Sequence, residues 1–180
     1  MTKKIGIIVG SLREDSLNKI LALQTGELLP EGFEAEFIEI GDLPFYNEDL
    51  EAEGKRPAEW ERFRREAGEK AGFILATPEY NRSVAPAIKN ALDVGSRPYG
   101  SSIWSGKPAL ILSASLSGIG GAIANHTLRQ SLVFLDMPVV QQPELYIGQA
   151  QNYIENGKVT NDETLELLRT AAEALADLMK

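Results

Sequence analysis

The residues with the most chemistry in them run from Gly10 to Asn18, Gly-Ser-Leu-Arg-Glu-Asp-Ser-Leu-Asn, directly after the apolar run Ile5-Gly6-Ile7-Ile8-Val9 and before a helical pattern. They supply hydroxyls at Ser11 and Ser16, an amide at Asn18, a guanidinium at Arg13 and the free N–H groups of a helix start. Such a set can hold a phosphate from several sides, and Gly10 permits the tight turn this needs. The spacing excludes the commoner phosphate loops. It lacks the second and third glycine of a dinucleotide fingerprint and the Gly-Lys-Ser/Thr ending of a nucleoside triphosphate loop. A phosphate monoester is the ligand class left. An ordinary strand-to-helix turn with Ser16 or Asp15 as N-cap uses the same residue types, so other segments must decide between the two.

Composition narrows the field. A chain of 180 residues suffices for one domain, expected over residues 1–180, and for a core that needs no disulfide or metal staple. The absence of Cys removes thiol catalysis, iron–sulfur clusters and thiolate zinc sites, and the single His, His126, leaves no zinc triad; no metal site is expected. A net charge of -8 argues against nucleic-acid binding, so any anionic ligand must meet a local basic pocket. Met1-Thr2-Lys3-Lys4 and five apolar positions are too short for a signal peptide, and no run approaches a membrane span. A soluble, cytoplasmic protein is the expectation.

These residues need elements to position them, and apolar strands alternate with helical patterns to the end of the chain. Leu17, Ile20, Leu21 and Leu28 form a helical stripe ended by Pro30-Glu31-Gly32, and Ala35 to Ile40 alternates as an edge strand should. A long loop from Gly41 to Leu50 follows, and its acid-rich tail, Glu48 to Glu53, reads as a solvated face. A helix from about Pro57 to Ala71 turns Trp60 and Phe63 inward; Gly72 to Thr77 is then a strand apolar on both faces, as in the middle of a parallel sheet. Pro78-Glu79-Tyr80-Asn81 breaks it, and Pro86 opens a helix to Gly95. Pro108 to Ala114 forms a fourth strand, a Gly-rich loop from Ser115 to Gly121 leads into a helix with Leu128, Leu132 and Leu135, and Pro138-Val139-Val140 starts a fifth strand. Thr160 and Glu163 are spaced as a capping box for a last helix carrying Leu165, Leu168, Ala172, Leu175 and Met179. The result is a three-layer, doubly wound α/β sandwich with a five-stranded parallel sheet. If its order is 2-1-3-4-5, the unusual loops after strands one, three and four are neighbours at the carboxyl ends, where such sheets bind ligands.

Four segments taken together carry a resemblance: Gly10–Asn18; Leu43-Pro44-Phe45-Tyr46-Asn47-Glu48-Asp49; Pro78-Glu79-Tyr80-Asn81 with Lys89-Asn90-Ala91-Leu92-Asp93; and Leu128 to Asp136. The chain is similar to the NAD(P)H-dependent FMN reductase family, especially its chromate and quinone reductases, over nearly its whole length and most weakly after about Gly148. The resemblance implies a flavodoxin-like fold, bound FMN, NADPH or NADH as electron donor, and a homodimer or homotetramer. It also implies that Ser11, Arg13, Ser16 and Asn18, with the backbone of Leu17, hold the FMN phosphate. Pro78, Glu79, Tyr80 and Asn81 resemble the loop flanking the isoalloxazine, and Ser115 and Gly118 the loop at its pyrimidine end. The chain departs from the family at Arg82, where an aromatic or small residue is usual, at Ala85-Pro86 in place of Pro-Gly, and at Ile123, Asn125 and His126 in place of Arg, Gln and Tyr.

The implied activity is a two-electron oxidoreductase that takes hydride from NAD(P)H and reduces quinones, free flavin, azo or nitro compounds, or chromate-like oxyanions by a ping-pong mechanism. No catalytic side chain is expected, because the chemistry belongs to the cofactor. Glu79 reads as a solvent-facing or helix-capping carboxylate. Arg82 is a candidate contact for the donor's phosphates, with His126 and Lys89 behind it, and Trp60, Trp104 and the methionines read as packing. The rival readings are a non-catalytic flavodoxin-like electron carrier or redox sensor, and a phosphate-ester or nucleotide-handling enzyme without flavin.

Overall fold

The computed structural model describes residues 2–52 and 54–180. The chain begins with β1 (Lys3–Val9), α1 (Leu17–Glu27), β2 (Phe33–Phe37), α2 (Ala58–Gly68) and β3 (Gly72–Thr77). A short hairpin, β4 (Glu79–Tyr80) and β5 (Ser83–Val84), precedes α3 (Pro86–Ser96), β6 (Ala109–Ala114), α4 (Ala122–Phe134) and β7 (Leu145–Ile147). A second hairpin, β8 (Ile154–Glu155) and β9 (Lys158–Val159), leads into α5 (Asp162–Leu178).

The main sheet is parallel and ordered β2-β1-β3-β6-β7, which is the expected flavodoxin-like order counted over its five strands. Every residue of β3 and β6 is buried, as strands covered on both faces must be. One face packs on α1 and α5 through Leu21, Ala22, Leu168 and Leu175; the other packs on α2, α3 and α4 through Phe63, Ile88, Leu92, Leu128 and Leu132. Trp60 and Trp104 are core residues, 3% and 0% exposed, and each indole N–H donates to a carbonyl, of Pro44 and Leu92 respectively, at 2.9 Å.

Several boundaries differ from the sequence reading, each for a physical reason. Edge strand β2 is Phe33–Phe37 rather than Ala35–Ile40, because the Ile38 N–H makes its last bond to Ile7 and the chain then turns away. The fifth strand is Leu145–Ile147, whereas Val139 forms only an isolated bridge with Ala109. Pro138 and Pro143 lack the N–H that a continuous ladder would need. The last helix is capped not by Thr160 but by Asn161, whose side chain accepts from Thr164 N at 2.8 Å. Leu28 and Leu135 stand just past α1 and α4 as C-caps.

The acidic tail is more than a solvated face. Glu51, with a side chain 16% exposed, accepts from Arg97 Nε and the Tyr46 hydroxyl, both at 2.6 Å. The bond to Glu51, followed by burial, pushes the Tyr46 phenol up to about 12. Glu53, the end of that tail, lies outside the described residues. Asn90 fixes the preceding loop onto α3, accepting from Tyr46 N at 2.8 Å and donating to the carbonyls of Leu43 and Pro44.

Candidate cofactor site

Because all five strands run the same way, the loops after β1, β3 and β6 meet at one end of the sheet, and specific bonds join them. Gly10 N donates to Ala76 O at 2.8 Å, which carries the β1–β3 ladder one residue past the strand. A Cβ at Gly10 would stand 2.9 Å from Ala85 Cβ and 3.0 Å from Ile88 Cγ2, so only glycine lets the first loop approach the start of α3 this closely. The Asn18 amide, 4% exposed, donates to Ala114 O at 3.1 Å and accepts from Ala114 N at 2.9 Å, tying the first turn of α1 to the end of β6.

That tie alters what Asn18 offers a ligand. Its side chain is committed to Ala114, leaving its backbone N–H, with that of Leu17, at the first two positions of α1 before the first intrahelical bond, Ile20 N to Ser16 O at 3.0 Å. Ser16 is both N-cap and cup residue: its hydroxyl oxygen accepts from Lys19 N at 3.2 Å, which leaves the hydroxyl proton to donate. Ser11 is 8% exposed, and the Arg13 guanidinium has no carboxylate partner among the described residues. In a protein of net charge -8, an exposed arginine free of carboxylates beside a helix N-terminus is the arrangement an anion requires.

Next to this cup lies a cavity of about 340 Å³ lined by Gly10, Leu12, Arg13, Tyr80, Pro86 and Ala87. Its walls are apolar or aromatic with one cation at the cup, which suits a flat ring carrying a phosphate arm. Leu12, 58% exposed, Pro86 and Ala87 are wall residues that the sequence reading left out. Their position beside Arg13 and in the first turn of α3 was the available signal. A larger cavity of about 570 Å³ between Tyr46, Arg97, Tyr99 and Phe134 lies at the C-terminal ends of α3 and α4, away from the strand ends and the donor cup.

The loop after β3 is a hairpin. Tyr80 pairs with Ser83, and both residues between them have positive φ, Asn81 at 51° and Arg82 at 63°, as in a type I′ turn. Pro78 is buried before it and Tyr80 stands 44% exposed at the cavity. Glu79 does not face solvent: its carboxylate, 11% exposed, accepts from Ile123 N at 3.0 Å, Ala124 N at 3.2 Å and Arg82 Nη1 at 3.1 Å. It therefore caps a helix, one of the roles its position suggested. The third loop is stitched to the chain after β7, with Ser117 O and Ser115 O accepting from Gln149 N and Ala150 N; the Ser115 hydroxyl lies 3.0 Å from Ser117 O, and Gly118 is exposed.

The remaining candidates point elsewhere. Lys89 Nζ lies 2.7 Å from both Asp93 oxygens, one turn along α3, and His126 Nε2 lies 3.1 Å from the Tyr146 hydroxyl. Burial, with Glu144 nearby, holds that phenol above its ordinary range. Among the described residues there is no cluster of His, Cys, Asp and Glu that could hold a metal, and no helix long and apolar enough to cross a membrane.

Comparison with known proteins agrees with the fold. The family described as NADPH-dependent FMN reductase matches residues 3–152. A quinone reductase of Pseudomonas putida is 49% identical over 176 residues, covering 98% of this chain and 94% of that protein. A 2-hydroxy-1,4-benzoquinone reductase from a Burkholderia species is 40% identical over 98% of this chain and 96% of its own. Among solved structures, the flavoenzyme NAD(P)H:(acceptor) oxidoreductase of Paracoccus denitrificans superposes with a TM-score of 0.89 at 37% identity, covering 99% of this chain and 97% of that one.

The cup makes a direct prediction. A charge-assisted bond to a phosphate is worth about 1.5–3 kcal/mol, so Arg13→Ala should weaken FMN binding about ten- to a hundredfold. Titration of the flavin-free protein measures this, and unchanged affinity in a folded variant would remove Arg13 from the phosphate site.

Proposed function

The chain belongs to the NADPH-dependent FMN reductase family, and from that premise we propose that it holds FMN at the strand-end cavity and reduces small acceptors with NADH or NADPH as donor. The observation carrying this reading is the union, in one cavity, of a carboxylate-free arginine at a helix start with an apolar, aromatic wall. In it, the hydroxyls of Ser11 and Ser16, the Arg13 guanidinium and the N–H groups of Leu17 and Asn18 hold the phosphate. Pro78, Glu79, Tyr80 and Asn81 flank the ring, with Glu79 contributing through its backbone, and Ser115 and Gly118 approach the pyrimidine end. Bound FMN supplies the chemistry as a two-electron carrier between NAD(P)H and the acceptor. The residues of this chain orient it and leave one face open. The cavity lining contains no carboxylate or imidazole, so no side chain is assigned an acid–base step.

Quinones lead the proposed acceptors, as the names of the relatives suggest. Free flavin, azo and nitro compounds and chromate-like oxyanions follow from an open cavity without a substrate-specific polar cluster. Donor and acceptor would occupy that face in alternation, so the kinetics should be ping-pong. The purified protein should be yellow and bleach with NADPH under anaerobic conditions, and double-reciprocal plots at several acceptor concentrations should be parallel. Intersecting lines would refute alternation, and a protein that takes up no FMN would refute the assignment itself.

Arg82 is the proposed contact for the donor's phosphates. A side chain in the left-handed region costs about 1–2 kcal/mol, and the second turn position that Arg82 holds at φ 63° is one where glycine is favoured. Its guanidinium, 64% exposed, is partnered only by Glu79 among the described residues. Lys89 and His126 stand behind it: Lys89 Nζ is held at 2.7 Å by both Asp93 oxygens, against a single 3.1 Å carboxylate contact for Arg82, and His126 Nε2 lies against the Tyr146 hydroxyl. Arg82→Ala should raise the donor's KM several-fold with FMN binding and the acceptor half-reaction nearly unchanged. A larger loss with NADPH than NADH would place the guanidinium at the 2′-phosphate, and no loss with either would leave it a surface charge.

The protein is proposed to act as one domain over residues 1–180, in the cytoplasm, as a homodimer or homotetramer. Tyr99 and Phe134, 91% and 90% exposed at the rim of the larger cavity, are the apolar surface an assembly would cover. Sedimentation should give two or four chains per particle, and a monomer at micromolar concentration would exclude this.

A further inference from the structure

We propose that Glu79 is a positioning residue for the flavin ring, acting as the N-cap that α4 cannot supply for itself; this rests on the FMN reading above. The residue at the N-cap position of α4, Gly121, has φ 74° and no side chain to offer. A Cβ there would come within 3.1 Å of Ser113 Cβ, so the crowded end of β6 keeps the position glycine. The loop itself satisfies only the first helical N–H, that of Ala122, through Ile119 O at 3.3 Å, and offers nothing to those of Ile123 and Ala124. Glu79 Oε2 reaches across from the hairpin and takes the two that a cap ordinarily serves, at the second and third helical positions, Ile123 N at 3.0 Å and Ala124 N at 3.2 Å. A carboxylate suits the place because the helix start carries partial positive charge.

The other oxygen, Oε1, accepts from Arg82 Nη1 at 3.1 Å, so one carboxylate braces the hairpin turn and docks the hairpin on α4. Glu79 lies between buried Pro78 and the cavity-wall residue Tyr80, so the cap sets where that wall stands relative to the loop entering α4. Asn18 performs the matching task between α1 and β6. Two side chains thus join the three ligand loops, one through a backbone amide and carbonyl of Ala114 and one through a helix start. With both oxygens engaged, the carboxylate is a brace and not a proton donor.

The test compares Glu79→Ala with Glu79→Gln, whose amide carbonyl can still accept both N–H bonds while its NH2 group gives up the bond from Arg82, so the pair of variants separates the cap from the contact with Arg82. Affinities for FMN and for riboflavin, which lacks the phosphate, are measured by titration of flavin-free protein of confirmed secondary structure. Glu79→Ala should weaken both flavins by the same factor, about fivefold, the scale of a lost cap, while Glu79→Gln stays within about twofold of wild type. Amide exchange at Ile123 and Ala124 in flavin-free protein should rise in the alanine variant and not in the glutamine one, a readout that needs no flavin. Wild-type flavin affinity or unchanged exchange in Glu79→Ala, a loss confined to FMN, or a glutamine variant as impaired as the alanine one would each overturn the proposal. Failure of the wild-type protein to bind FMN would instead overturn the cofactor assignment on which it rests.

Discussion

The constraint on which the structure depends is the common direction of the five sheet strands. Parallel strands buried on both faces must be joined by helices that return the chain, so α1, α3 and α4 all begin where β1, β3 and β6 end or shortly after. Three helix starts, each with unsatisfied N–H groups and partial positive charge, therefore gather at one end of a chain whose net charge is -8. An end of the molecule with partial positive charge is thus a product of topology before any side chain is chosen.

Each of those starts is completed differently, and the differences divide the labour of the site. The first is capped locally by Ser16, which leaves the N–H groups of Leu17 and Asn18 for a ligand. The second opens with Pro86, which has no N–H to satisfy and turns its ring to the cavity wall. The third is closed by Glu79 from another loop. The helix beside Arg13 keeps the N–H groups of Leu17 and Asn18 open next to a guanidinium with no carboxylate partner among the described residues, so the polar arm of the proposed ligand is assigned there and its flat part against Tyr80, Pro86 and Ala87.

The opposite ends of the helices show the complementary solution. Arg64 donates to the carbonyls of Val94 and Gly95 at the end of α3, and Lys107 to those of Ala67 and Gly68 at the end of α2. Burial lowers the pKa of both cations. At the N-terminal side of the sheet, Glu36 bridges Lys4 and the nearly buried Lys70, and bonds from those two ammonium groups bring its carboxyl down to about 2. Cations close the C-termini of α2 and α3 and brace the sheet, while Arg13 at the opposite end stays clear of carboxylates among the described residues.

Local periodicity alone determined most of the fold. The double-faced apolar runs of Gly72–Thr77 and Ala109–Ala114 read as central parallel strands, and their alternation with helical stripes led to the doubly wound sandwich, while the strand order came with the family resemblance. The donor set from Ser11 to Asn18 was legible because it is contiguous, and the motifs around it pointed to the family. What tertiary structure decided are the pairings between distant residues, which no spacing reveals. The Asn18 amide serves Ala114, Glu79 caps a helix 44 residues along the chain, and Glu51 takes Arg97 where an acidic run suggested only solvent. The fifth strand also moved to Leu145–Ile147, where the chain regains the N–H groups its prolines had withheld. Secondary structure follows from neighbours in sequence, but a polar side chain takes whichever partner the packed elements bring to it, and that choice is made only when the elements have met.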